Sequence, residues 1–395
     1  MLRMMRRQTR LVKSALVRIG LFGVAIMAVP GITFAGVDIE VTSTIQAAVD
    51  AANPGDTVLV PPGTYRESVL VTRNDITIVG SHTAVIDAEG FGTGIRVGIG
   101  RITTVDGVPV CPALAVKNFT LKGLTIKNAR FSGVFLIGVD RYRLTGSMYI
   151  DNPTYGPFPL CSRHGLIDDN FVKGGNASSN GPSIDAGIYV GDDDTVKVTK
   201  NVVTNHAIGI EIESSMNAVV RENVLSGNTT GIVVVVLPGL PLPRTDNVRI
   251  ESNLVFRNNL ANPVPVESGD PVGLLPTGTG ILNIGGDHVI VRNNRVIGND
   301  SLGVAIIRNP FASADPRIEP NPDSNEVRDN VILHNGRNPD PIRATTPGVD
   351  IFYDGTGMGT CFARNVFETE FPASITASFP CPERDEQDHG RDGER

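Results

Sequence analysis

Residues 199–212 read TKNVVTNHAIGIEI, and residues 221–234 read RENVLSGNTTGIVV. The second stretch repeats the first 22 positions later: Asn201 falls on Asn223, Gly209 on Gly231, and Ile210 and Ile212 on Ile232 and Val234. Outward from this pair, a glycine followed by apolar–any–apolar recurs as GIRV at 94, GVFL at 133, GIYV at 187, GIEI at 209, GIVV at 231, GILN at 280, GVAI at 303 and GVDI at 348. A second phrase, Asn before two or three apolar residues, appears at Asn170, Asn201, Asn223, Asn253, Asn330 and Asn365, and at Asn294 with Arg295 intervening. A further Asn stands five positions on at 228, 258, 299 and 335. A repeat of this length implies stacked supersecondary units.

The apolar runs are short, rich in Val and Ile, alternate with polar positions, and are punctuated by Gly, Asn and Asp. These are strand signals, and helical spacing is nearly absent after residue 54. A 22-residue turn holding two or three short strands predicts an all-β fold, a single-stranded right-handed parallel β-helix of roughly ten turns. Each strand pairs with its copy one turn later, roughly 4.8 Å away. In each GIxV phrase the residues at +1 and +3 then point inward and stack into a continuous core. Ile210 is one of them. The Asn rows belong at a corner, where Asn tolerates left-handed geometry and amides can hydrogen-bond along the axis.

The spacing is 22 from Asn201 to Asn223 but 30, 41 and 36 for the next three intervals, to Asn253, Asn294 and Asn330. The surplus is Pro/Gly-rich: LPGLPLPRTDN at 237–247, ANPVPVESGDPVGLLPTGTG at 261–280 and NPFASADPRIEPNPDSN at 309–325. Inserts in a solenoid map to loops on one face, often the binding face. TSTIQAAVDAANPGD reads as one amphipathic helix, capped by Thr42 or Ser43, stopped at Asn53-Pro54, and covering the open N-terminal edge of the stack. The domain plan is therefore a leader at 1–35, an N-terminal cap with helix at 36–56, a β-helix at 57–375 and a charged, disordered tail at 376–395.

Residues 1–35 join a basic start to the uncharged IGLFGVAIMAVPGITFA and read as a secretory signal peptide. Seventeen residues broken by Pro30 and Gly31 are marginal for a bilayer span, and no later segment is as long. The expectation is a secreted or periplasmic monomer without a membrane span once the leader is cut. The remaining chain holds 29 Lys and Arg against 42 Asp and Glu, a net charge near −13. That balance argues against nucleic acid, and against a polyanionic ligand unless calcium bridges the two. Cys111, Cys161, Cys361 and Cys381 suggest two disulfides, with free buried thiols as the alternative. Of three connectivities, Cys111–Cys161 and Cys361–Cys381 are favoured because each pair is local.

The phrases PPGTY, GIYVG and GIEIE, with recurring N-x-V-x-x-N, resemble secreted bacterial proteins with pectate-lyase-like parallel β-helix repeats, over about residues 42–375. YGPFPLCSRHGLIDDN…DAGIYVG…GIEIE is similar to an uncharacterised subgroup of them. Better-known relatives of this fold include pectate lyases, polygalacturonases, mannuronan C5-epimerases and NosD-like proteins, so the resemblance implies action on, or binding of, an extracellular or envelope polysaccharide. No catalytic set transfers intact. The stretch from Arg337 to Arg343 is one residue too long for a pectate lyase pattern. GDDD at 191–194 and RHG at 163–165 stand in the wrong order for a polygalacturonase, and Gly269-Asp270-Pro271 is a fragment of no weight.

The candidate site therefore rests on stacking. The +2 row reads Phe135, Tyr189, Glu211, Val233, Leu282, Ala305 and Asp350, facing outward, with Glu213 at +4 beside Glu211. Asp185 lies one turn away, so these carboxylates should stand roughly 5–8 Å apart on one outward patch. Such a cluster can divide acid and base roles among Asp185, Glu211 and Glu213, with Arg163 and His164 in a neighbouring loop. Alternatively it can bind calcium, with Asp192 and Asp193 as further ligands. Tyr155, Tyr189 and His206 are the candidate ligand contacts. The functional expectation is a lyase, hydrolase or epimerase on polysaccharide; the alternative is a non-catalytic scaffold or a binder of glycan or an envelope protein. The absence of Trp weakens every glycan reading.

Overall fold

The structure, a computed structural model, describes residues 36–175 and 181–382. The leader expected at 1–35 and the last part of the tail lie outside them. The chain winds through three parallel sheets in a fixed order, A then B then C, and returns to A one turn later. Sheet A has 12 strands and sheets B and C have 11 each, so the coil makes slightly more turns than the ten expected. A small antiparallel hairpin, Thr103–Val105 with Val108–Val110, stands apart from them.

The core is made by repetition. Ile188, Ile210, Ile232 and Ile281 lie in register on consecutive turns of sheet C and are at most 1% exposed. Val198, Val220 and Ile250 do the same in sheet A, and Val203, Leu225 and Val255 in sheet B. Each fully buried side chain of this kind contributes about 1.5–3 kcal/mol. The glycines form a column of their own, because an ideal Cβ on Gly209 would sit 2.5 Å from the Gly231 carbonyl oxygen, and one on Gly231 2.5 Å from that of Gly280. Backbone approach between turns requires glycine there. The column continues through Gly156, which Pro157 and Phe158 follow, but leaves out Gly348. Val304 pairs with Ile351, so Asp350 and not Gly348 takes the glycine position, and Phe352 and not Asp350 follows Ala305 in the +2 row.

The Asn phrases form two ladders. Asn201 donates from Nδ2 to Oδ1 of Asn223 at 3.0 Å and to the Ile167 carbonyl at 3.0 Å, and its backbone N–H reaches the same Oδ1 at 2.9 Å. The pattern runs from Asn170 to Asn365 at the corner between sheets A and B. A second ladder through Asn228, Asn258, Asn299 and Asn335 marks the corner into sheet C and ends on Asp350. The left-handed residue is not the Asn itself but its predecessor: Lys200, Glu222 and Ser252 have φ of 56°, 59° and 57°. The backbone reverses one residue early, and the Asn amide then satisfies the groups exposed by that turn.

A helix, Ile45–Ala51, covers the N-terminal end with Ile45 fully buried. Its cap is Thr44, whose hydroxyl accepts from the Ala47 N–H, rather than Thr42 or Ser43. At the other end the tail is ordered beyond residue 376, through a short helix Ile375–Ser378 and a disulfide from Cys381 to Cys361. Residues 376–382 therefore do not belong to a disordered tail, because the bond pins the chain to sheet A. Cys111 pairs with Cys161, so both disulfides are the expected ones. Among the described residues, no helix is long and apolar enough to cross a membrane.

Candidate active site

The three inserts all flank sheet C. Residues 237–247 and 309–325 leave strands of sheet C for sheet A, and 261–280 leads from sheet B into sheet C. Together they roof the +2 and +4 rows. Glu211 and Glu213 therefore point out of the coil as expected but do not face solvent: they are 5% and 6% exposed. The alternation rule assigned the direction correctly and could not foresee the roof.

Under it lies a cavity of about 220 Å³ lined by Asp185, Glu211 and Glu213, with Tyr155 and Tyr189 at one side and Asp270 of the second insert above. No Lys, Arg or His is among its lining residues. Asp185 comes from a β-bulge: Ser183 pairs with His206 but Ala186 with Ile208, so two residues oppose one. Bulges re-aim side chains, and this one turns Asp185 onto the cavity. Its Oδ2 accepts from the Tyr155 hydroxyl at 2.7 Å and its Oδ1 from the Ala186 N–H at 2.8 Å. Tyr189 pairs with Glu211 across adjacent turns, and its ring folds over Gly191, where a Cβ would lie 2.3 Å from Cε1.

All three carboxyls are pushed upward, chiefly by burial. For Glu211 the neighbouring Glu213, Asp185 and Asp270 add to it. For Asp185 the bonds from Tyr155 and Ala186 oppose it, and for Glu213 the Tyr189 hydroxyl does. Glu211 has no hydrogen-bonding partner. It is a buried, unpaired carboxyl among like charges, the arrangement in which carboxyls share protons at neutral pH. Burial and the same carboxylates push the Tyr155 phenol up, so it remains a donor.

The other expected site residues go elsewhere. Arg163 and His164 lie on Arg163–Asp168 in sheet A, where both bind Asp140, at 3.2 and 2.8 Å. Sequence proximity to Tyr155 misled, because a corner separates the two sheets. Asp192 and Asp193 do not converge as calcium ligands. Asp192 accepts from the Leu242 N–H of the first insert at 2.8 Å, whereas Asp193 turns inward to the Tyr142 hydroxyl at 2.9 Å. Asp192 takes the left-handed corner between two strands, with φ of 46°, and that bend parts the two side chains. His206 is buried beneath the bulge, against the Asp185 backbone, and burial pushes its pKa down to about 3. It does not line the cavity. Tyr189 is not an open platform either: it packs on Phe158 at 4.6 Å between ring centroids and on Tyr155 at 5.2 Å. Asp270 was passed over as a motif fragment. Its signal was local: Asp before Pro marks a helix start, and Asp270 caps the 3₁₀ turn Pro271–Leu274.

Residues 114–262 match the family model described as right handed beta helix region. No curated protein matches the chain. Among solved structures it is similar to the A-module of the Azotobacter vinelandii mannuronan C-5 epimerase AlgE6, at 15% identity and TM-score 0.50, covering 82% of this chain and 90% of that one. It is also similar to a DFA-IIIase from Arthrobacter chlorophenolicus in complex with GF2, at 14% identity and TM-score 0.51, covering 89% and 98%. At such identity the likeness concerns the fold alone. Three parallel sheets, two amide ladders and the matched segment make this chain a right-handed parallel β-helix.

Proposed function

We propose that the protein acts on glycosidic bonds of a carbohydrate outside the cytoplasm, by acid–base catalysis in the roofed cavity of sheet C. The observation that carries this is Glu211, unpaired and buried beside Asp185 and Glu213. Glycosidic cleavage needs one carboxyl that keeps its proton for the leaving oxygen and one that is ionised as base or nucleophile. Glu211, without any donor, holds its proton longest and serves as the acid. Asp185, held by Tyr155 and Ala186, ionises first and serves as base or nucleophile. Glu213 and Asp270 keep the proton of Glu211 in place by repulsion.

The absence of a cation among the lining residues favours a neutral sugar over a uronate. Elimination or C5-epimerisation would require neutralising the substrate carboxylate, and here that group would meet four more carboxyls. Two disulfides support work in an oxidising compartment. Two similar structures, the epimerase module and the DFA-IIIase, are carbohydrate-active by their names, which is consistent with this reading.

The test is a panel of neutral and uronate polymers and oligosaccharides, with and without calcium, assayed for new reducing ends and for unsaturated products. We expect reducing ends from neutral substrates, and a loss of about a hundredfold or more in Glu211→Gln with folding retained. Unsaturated products would point to lyase chemistry instead. Unchanged turnover in Glu211→Gln would remove the carboxyls from the mechanism, and a scaffold role would then be the better reading.

A further inference from the structure

We propose that the face of sheet A formed by the strands Val116–Lys122, Val139–Thr145, Arg163–Asp168 and Asp194–Thr199 is a second binding surface, for an anionic polysaccharide lying along the coil axis. A groove of about 500 Å³ crosses these four strands, lined by Arg141, Arg143, His164 and Lys197 together with Asn118 and Thr120. No carboxylate is among its lining residues, although the chain as a whole carries a net charge of −7. The acidic total conceals a local cationic face.

The register explains how the groove is built. Thr120, Arg143, Leu166 and Lys197 stand in one column on consecutive turns. Asn118, Arg141, His164 and Thr195 occupy the unpaired positions beside them, each left-handed with φ of 56°, 64°, 56° and 63°. That bend turns their side chains out as a second column, and the groove runs between the two. Arg143 and Lys197 have no ion-pair or hydrogen-bond partner, so their charge is free for a ligand. Asp140, 3% exposed beneath Arg141, Arg163 and His164, offsets only one of the two arginine charges above it. Asp168 and Asp194, on the same strands, are engaged by Thr199 and Asn217.

The spacing suits a glycan. Arg143 and Lys197 are two turns apart, roughly 9.6 Å at the strand separation of a sheet, about the length of two pyranose units. Leu166 between them offers an apolar contact for a ring face. Nucleic acid is disfavoured, because the nearest rings, Phe119 and Tyr142, are 0% and 1% exposed and give bases nothing to stack on. The surface lies on a different sheet from the carboxyl cavity and does not rest on the catalytic reading.

Binding of the full chain to polygalacturonate, dextran and single-stranded DNA, measured at low and raised salt, tests this. We expect binding to polygalacturonate that weakens with salt, none to dextran, and weaker binding to DNA. Arg143→Glu with Lys197→Glu should reduce polygalacturonate binding at least about tenfold, while Glu211→Gln leaves it unchanged. The milder Arg143→Ala with Lys197→Ala should fall between, and melting curves check that each variant is folded. Equal binding by wild type and the folded double variant, no binding to polygalacturonate, or preference for DNA would each overturn the proposal.

Discussion

The hydroxyl of Tyr155 donates to Oδ2 of Asp185 at 2.7 Å, across 30 residues of sequence and one turn of the coil. It is the contact that separates Asp185 from Glu211. Two carboxyls in one cavity, one with a donor and one without, differ in how readily they ionise.

Tyr155→Phe removes that donor and keeps the ring. The pKa of Asp185 should rise further, since the bond favours the ionised form. The base then appears only at higher pH, so the acidic limb of the pH–activity profile should move up by about one unit, the scale of one hydrogen bond to a charged group. An unmoved limb in a folded variant would separate Asp185 from the rate.

Stability should fall as pH rises from the ordinary carboxyl values of 3.8–4.5 to about pH 8, most steeply above pH 6.5, where His206 no longer opposes it. A carboxyl whose folded pKa stands above its unfolded value keeps a proton that the unfolded chain has released, so raising pH through that window favours unfolding. The folded values reach about 7 for Asp185 and Asp192 and about 8 for Glu213 and Asp193. His206, pushed down to about 3, acts in the opposite sense, but only below its ordinary 6.5. Melting temperature against pH checks this. Glu211→Gln should be more stable than wild type at the alkaline end, with the gap closing on acidification.

The amide ladder should be costly to interrupt. Asn223→Leu would leave the Asn201 backbone N–H and one Nδ2–H of Asn201 without their acceptor, and the Val198 carbonyl without its donor. At about 1–3 kcal/mol for each buried unsatisfied group, the loss should be several kcal/mol in denaturant unfolding. A near-neutral result would mean that water replaces the amide at that corner.

Gly209→Ala tests the glycine column. The new Cβ would lie 2.5 Å from the Gly231 oxygen and 2.6 Å from Leu225 Cδ2, so the turns must part or the core must shift. A loss of about 1–3 kcal/mol is expected. Because Glu211 is two residues on, activity should fall with it, and a variant with unchanged stability and rate would show that the turns adjust freely.

The repeat from residue 199 to 234 was enough to determine the parallel coil and the inward Ile row; the capping helix was legible in residues 42–56, and the two disulfides were favoured among three connectivities by short sequence distance. Each follows from period, alternation or short sequence distance, and a solenoid places every turn only against its neighbours. The same local logic brought Asp185, Glu211 and Glu213 to one face. It could not decide that the face is roofed, since Asp270 reaches Glu211 through an insert whose length is legible but whose path is not. Nor could it foresee the bulge at Ile184–Asp185, because one extra residue leaves the apolar phrase intact and appears only in pairing. Arg163 and His164 were separated from the site by a corner between sheets, and the cations of sheet A were cancelled in the net charge. Charge and burial at a site depend on which turns and loops meet in space, and that contact is a property of the wound coil rather than of any stretch of its sequence.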